Sequence, residues 1–177
     1  MRFNDKGMTF VELLVSLSIS VLLIGSVLAT YMASNEFYAV DVTGQTLQRD
    51  ADNILNKIIK GKIEPTGVFR LSEATSYNQV SVSELQFTGT DQTIRWYGLS
   101  EDEKSVIYHH PTSSGVRDEI IYTASAGITP ALRFWIPSGV QFTDTGIGID
   151  VALTQNVNGR AISGSATTMI NIRNHSS

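Results

Sequence analysis

Gly7-Met8-Thr9-Phe10-Val11-Glu12, followed by the apolar run of residues 13–31, is the stretch on which the reading of this chain turns. The run holds 19 residues without a charge or a proline, and Glu12 is the one ionisable group at its head. About 20 apolar residues cross a bilayer as a helix, and a helix satisfies its own backbone donors and acceptors in lipid. Residues 13–31 can therefore span a membrane. Glu12 does not fit a plain anchor, because a carboxylate at membrane depth costs about 3 kcal/mol or more unless it finds a partner.

The residues before it suggest that partner. Residues 1–7 are short and polar, carry Arg2 and Lys6, and end on Gly7. A cut after Gly7 leaves Met8 with a free α-amine, charged at neutral pH, and makes Glu12 the fifth residue of the mature chain. In the first turn of a helix the positive end of the macrodipole also favours an anion at Glu12. Between subunits, the Met8 amine of one copy can meet the Glu12 carboxylate of another. Deleting one member of such a buried pair costs about 3–5 kcal/mol.

At these residues the chain resembles the class III signal of type IV prepilins and type II secretion pseudopilins. In that family the leader ends in Gly, an aromatic residue or Met follows, then a small polar residue, and Glu is fifth in the mature chain. Gly7, Met8, Thr9, Phe10, Val11 and Glu12 match position by position, with Met8 where Phe is commoner. The resemblance implies that prepilin peptidase cuts between Gly7 and Met8 and methylates the Met8 amine. It implies that Met8, Phe10 and Glu12 serve subunit assembly, that other pilin or pseudopilin subunits are the partners, and that the protein sits in the inner membrane before entering a filament. Two other readings stay open. A secretory signal with a basic n-region and an apolar h-region and a plain signal anchor both leave Glu12 unexplained.

The bulk numbers agree with an exported single-domain protein. At 177 residues, the chain can bury a core without staples. It has no cysteine, so packing alone must stabilise it. Removing residues 1–7 takes away two of 13 basic and one of 17 acidic residues, moving the net charge from −4 to −5 before the new amine. That balance gives no basic patch for nucleic acid.

No proline interrupts residues 1–64. Phe37, Val40, Gly44, Leu47, Ala51, Ile54 and Ile58 draw one stripe along a helix. Lys57 and Lys60 suit its C-terminal end, Gly61 is a suitable C′ residue, and Gly25 is the weak point of the span. A helix over residues 8–60 is about 80 Å long at 1.5 Å per residue. The expected organisation is a leader at 1–7, a membrane or filament-core helix at 8–33, its amphipathic continuation at 34–64, and a β-rich head at 65–177. A coiled-coil seam is the weaker alternative for the stripe, since Gly44 is a poor seam residue.

Beyond residue 66 the period changes to two. Leu85 and Phe87, then Ile94 and Trp96, are expected inside, alternating with Gln86, Thr88 and Arg95, with a hairpin loop at residues 89–92. Strands are expected at residues 106–110, 119–123, 132–136 and 147–153, and a last one near Ile170 and Ile172, with a turn at Asn158-Gly159. Residues 65–79 are expected as loop, with room for a short strand near Gly67. Seven strands after one long helix make the class α+β, a long N-terminal helix packed on an antiparallel sheet. Strand order and the Arg173-Asn174 ending resemble W-type minor pilins and J-type minor pseudopilins.

No active site, cofactor or metal site is read from the sequence, and none is expected. His109 and His110 are adjacent on a strand and point to opposite faces. Glu101-Asp102-Glu103 lacks the alternating oxygen ligands of a calcium loop, and no Gly-x-Ser-x-Gly elbow is present. The rival reading is a tethered or secreted β-sandwich binding protein, adhesin-like, using Trp96, Trp135, Tyr97 or Tyr108.

Overall fold

A computed structural model of the chain describes residues 9–64, 67–112, 115–136 and 146–171, with backbone only at 62–64, 67 and 68. One helix, α1 (Phe10–Lys60), is followed by β1 (Lys62–Glu64), β2 (Gly67–Phe69), a 3-10 turn (Leu71–Glu73), β3 (Ser76–Ser81), β4 (Glu84–Thr88), β5 (Ile94–Leu99), β6 (Ser105–Thr112), β7 (Gly115–Thr123), β8 (Ile128–Trp135), β9 (Gly146–Val157) and β10 (Arg160–Asn171). The fold is α+β, as expected: the helix packs against antiparallel sheets. The chain divides into two compact units, Met1–Asp41 and Val42–Ser177.

In the second unit the strands form a five-stranded sheet in the order β3-β4-β5-β6-β7, a three-stranded sheet in the order β10-β9-β8, and the small β1-β2 pair. The two larger sheets are stitched at their edges. Phe134 in β8 donates its N–H to the Val82 carbonyl (2.8 Å) and accepts from the Gln79 amide at its carbonyl (2.9 Å). Those bonds occupy backbone groups that an open edge strand would present to other chains.

The helix stripe is buried from Leu47 onward, through Ala51, Ile54, Leu55 and Ile58. Phe37, expected on that stripe, is exposed. Ile147, Ile149, Val151 and Leu153 of β9 belong to the same core, all fully buried and alternating as the sequence predicts. β10 approaches the helix at Gly164, where an added Cβ would lie 2.2 Å from the Gln48 nitrogen and 2.4 Å from the Leu47 carbonyl carbon. This closeness lets the Gln48 side chain act as a strand residue would. Its amide donates to the Ser165 carbonyl (2.8 Å) and accepts from the Ser165 N–H (3.1 Å).

Nearer its C-terminus the helix meets β7. The β6–β7 register shifts between Val106 and Ile107, leaving Ile121 as an extra residue without a ladder partner. A bulge frees such a residue's backbone groups, and Lys57 donates its ammonium to the Ile121 carbonyl (2.8 Å). Burial, helped by the Asp50 carboxylate, pushes the neighbouring Tyr122 phenol up. Gly61 ends the helix at φ +73 with its N–H on the Ile58 carbonyl, the C′ role expected of it. Any Cβ there would meet the Phe69 carbonyl oxygen at 2.1 Å.

Two expectations need correction. Residues 65–79 are not mainly loop: β2, the 3-10 turn and most of β3 fall there. The polar sequence of β3 hides an edge strand whose Tyr77 and Gln79 are half-buried. The face assigned to β5 is also inverted. Leu85 pairs with Tyr97 and Phe87 with Arg95, so Tyr97 and Arg95 face the core while Ile94 and Trp96 face outward. Arg95 is only 1% exposed, and its guanidinium is fully engaged. It donates to both Asp91 oxygens (2.9 and 2.8 Å) and to the Thr93 carbonyl (3.1 Å), and its carbon lies 3.5 Å from the centre of the Phe69 ring. A bidentate carboxylate and an aromatic face together make a buried guanidinium tolerable. The Arg95 guanidinium holds the Asp91 carboxyl well below the usual carboxylate range.

The Asn158-Gly159 turn is present, both residues at positive φ, joining β9 to β10 in a two-residue hairpin. Ile172 and the Arg173-Asn174 ending lie outside the described residues.

Candidate functional site

The first unit is built around the start of α1. Thr9 caps the helix and Glu12 occupies its third position, forming a reciprocal capping box. The Thr9 N–H and the Thr9 hydroxyl both donate to Glu12 Oε2 at 2.8 Å, and the Glu12 N–H donates back to Thr9 Oγ1 at 3.3 Å. The Leu13 N–H closes the first turn on the Thr9 carbonyl (3.1 Å). The sequence reading gives Glu12 the helix dipole and an intermolecular amine; the spacing Thr9-x-x-Glu12 ahead of an apolar run carries the capping box as well.

Both intrachain bonds fall on one carboxylate oxygen. An ionised carboxylate has about four acceptor positions, and among the described residues Oε1 accepts no hydrogen bond. The capping box thus orients Glu12 through Oε2. Gly7 and Met8, the expected cleavage and methylation positions, lie outside the described residues. Phe10, the third expected assembly residue, is the first helical residue and is 75% exposed.

Along the span the hydroxyls are turned inward on the helix's own backbone. Ser16 bonds the Glu12 and Leu13 carbonyls, Ser18 that of Leu14, Ser20 that of Ser16, Ser26 that of Leu23 and Thr30 that of Ser26, all within 3.0 Å. Such back-bonding removes unsatisfied donors from an apolar environment. The remaining surface is mainly Leu, Ile and Val, with Gly25, Ala29 and Tyr31 among them, and no residue of its most apolar stretch is buried. The helix is long and apolar enough to cross a membrane. It continues through Gly25 without a break.

The other candidates are accounted for locally. His109 and His110 face opposite ways: His109 bonds the Asp118 carboxylate and stacks on Trp96, while His110 is buried against Tyr108. In the acidic run, Asp102 accepts from the Ser100 hydroxyl and the Lys104 N–H, which hold its carboxyl below the usual range and commit it to the turn. Among the described residues no three His, Asp or Glu side chains converge as a metal site would require. Of the aromatics considered for binding, Tyr97 and Tyr108 are core residues, and Trp135 lies over Gly148, its cross-strand partner. Trp96 alone of the four is on the outer face of the five-stranded sheet.

Comparison with curated proteins and with solved structures gives no match. Residues 2–28 match the prokaryotic N-terminal methylation motif. The Thr9–Glu12 box and the apolar helix that it opens are therefore part of a type IV pilin-like prepilin signal.

Proposed function

We propose that the chain is a minor pilin or pseudopilin, a structural subunit that helps to initiate or cap a filament of the type IV pilus or type II secretion kind. The observation that carries this reading is the Thr9–Glu12 box at the head of an apolar helix whose Ser16, Ser18, Ser20, Ser26 and Thr30 hydroxyls bond its own backbone. In this reading residues 1–7 are a leader, held in the cytoplasm by Arg2 and Lys6. Residues 8–33 are a single-pass inner-membrane span, 34–64 its continuation and 65–177 an extracytoplasmic head.

Prepilin peptidase cuts between Gly7 and Met8 and methylates the new amine. On assembly, helix–helix contacts replace lipid contacts along the exposed apolar surface. The Met8 amine of one subunit meets Glu12 of its neighbour, and Phe10 packs beside them. No catalytic step and no cofactor belong to this role. The large cysteine-free head favours a minor over a major subunit.

Mass spectrometry of the mature membrane protein tests the processing step: a methylated Met8 at its N-terminus is expected, and a start near Thr30 would refute the reading. Gly7→Val should leave an unprocessed, membrane-bound precursor. Glu12→Ala and Glu12→Val should be processed but fail to enter filaments; wild-type incorporation of both would sink the proposed role of Glu12.

A further inference from the structure

Phe37 is exposed where the helix stripe leads one to expect it buried, and it has company. Tyr31, Met32, Phe37 and Tyr38 are 64%, 69%, 66% and 71% exposed, all on the unbroken helix α1 and within the first unit. Tyr31 and Tyr38 are seven residues apart, two turns along one helix face, and Phe37 stands beside Tyr38. Between Met32 and this pair the side chains are small or polar: Ala33, Ser34, Asn35 and Glu36.

The apolar run sets their height. Residues 13–31 extend about 28 Å at 1.5 Å per residue, close to the ~30 Å hydrocarbon core of a bilayer. The Cα atoms of Phe37 and Tyr38 lie about 9–10 Å further along the axis. Cα–Cβ bonds in a helix tilt toward its N-terminus, so both rings hang back toward the span. The polar layer outside the hydrocarbon is about 5–8 Å deep on each side, and the rings reach into it. An aromatic ring suits that layer, and a tyrosine hydroxyl finds hydrogen-bond partners there. Charge supplies no hold on anionic lipid: no Lys, Arg or His lies within residues 7–48, and Glu36 and Asp41 are acidic.

We infer that Phe37 and Tyr38, with Tyr31 below them, form an aromatic collar that binds the phospholipid headgroup layer. The collar lies at the end of the span remote from Glu12 and fixes the depth of the helix. The inference rests on the membrane-spanning reading of residues 13–31 given above. Lipid is the occupant because the collar continues a surface that already faces lipid in that reading.

The test uses the full chain in phosphatidylcholine nanodiscs, with lipids carrying a nitroxide either on the headgroup or near the acyl-chain end. Single variants Leu22→Trp, Phe37→Trp and Tyr38→Trp report depth by quenching, and the unsubstituted chain supplies the background of Trp96 and Trp135. Phe37→Trp and Tyr38→Trp should each lose more emission to the headgroup nitroxide, and Leu22→Trp more to the acyl nitroxide. Adding phosphatidylglycerol or salt should leave that order unchanged. In a third set, Val27→Trp reads depth between the two labels, and adding Phe37→Ser with Tyr38→Ser should shift its quenching ratio. If Leu22→Trp is not quenched by the acyl nitroxide, the span fails and the collar with it. If Leu22→Trp behaves as expected but the headgroup nitroxide leaves Phe37→Trp and Tyr38→Trp untouched, the span stands and the collar is overturned. It is equally overturned if headgroup quenching requires anionic lipid, or if the Val27→Trp ratio ignores the double serine change. Emission that follows the number of copies per disc and not the lipid label would overturn it in favour of a neighbouring helix.

Discussion

Replacing Gly164 by alanine tests how the helix is seated on β10. The added Cβ would stand 2.2 Å from the Gln48 nitrogen, 2.4 Å from the Leu47 carbonyl carbon and 2.7 Å from the Gln48 Cα. All three are helix backbone atoms, so no side-chain rotation relieves the overlap and α1 must retreat from the strand. Overpacking of that kind costs about 1–3 kcal/mol. Retreat also lengthens both hydrogen bonds between Gln48 and Ser165, at about 1 kcal/mol each. Gly164→Ala should therefore destabilise the head by about 3–5 kcal/mol, lowering its melting temperature by roughly 10–15 °C.

Gly44→Ala is the internal control. A Cβ there meets only Ile162 Cγ2, at an ordinary 3.6 Å, and alanine is the better helix former by about 1 kcal/mol. That variant should be as stable as wild type or more so. Thermal unfolding followed by tryptophan fluorescence reads the head, since Trp96 and Trp135 both belong to it. If Gly164→Ala melts with wild type, or if Gly44→Ala is the more damaged of the two, the described helix–strand approach is wrong.

Thr9→Ala removes the hydroxyl that donates to Glu12 and caps its N–H, leaving the backbone donor in place; with a cap worth about 1 kcal/mol, faster amide exchange confined to residues 10–13 is expected, with head unfolding unchanged. Asp91→Asn leaves the buried Arg95 guanidinium without its carboxylate. Because Asp91 is 34% exposed, denaturant titration should show a loss of about 2–3 kcal/mol, below the full cost of breaking a buried pair. The same pair sets an acid response. The folded state depresses the Asp91 pKa, so its stabilisation is complete above the unfolded value near pH 4 and is lost as pH falls below it; stability profiles of wild type and Asp91→Asn should converge toward pH 2. Lys57→Met should cost about 1 kcal/mol through the lost bond to the Ile121 carbonyl, and a melting temperature equal to wild type would refute that contact.

Much of the chain is legible without coordinates, and the legible features share a cause. The apolar helix, the stop at Gly61, the Asn158-Gly159 hairpin and the alternation of Ile147, Ile149, Val151 and Leu153 follow from backbone preferences and periodicities acting over a few residues. The Thr9–Glu12 box belongs with them, since both partners lie within one helical turn. The same short range makes the prepilin-like signal readable at residues 2–28.

What the tertiary structure alone decided involves partners distant in sequence. Ile94-Arg95-Trp96-Tyr97 suits either face of a strand by hydrophobicity, and a one-residue choice inverts every side chain. Pairing with Leu85 and Phe87 sends Arg95 inward, where Asp91 and Phe69 meet it, and leaves Trp96 outside. β3 is polar enough to read as loop until β4 supplies its ladder. The need for glycine at 164 is set by a helix 117 residues from the Ser165 contact in sequence. Local conformation is chosen by neighbours along the chain, whereas the face a residue shows is chosen by what the fold brings against it.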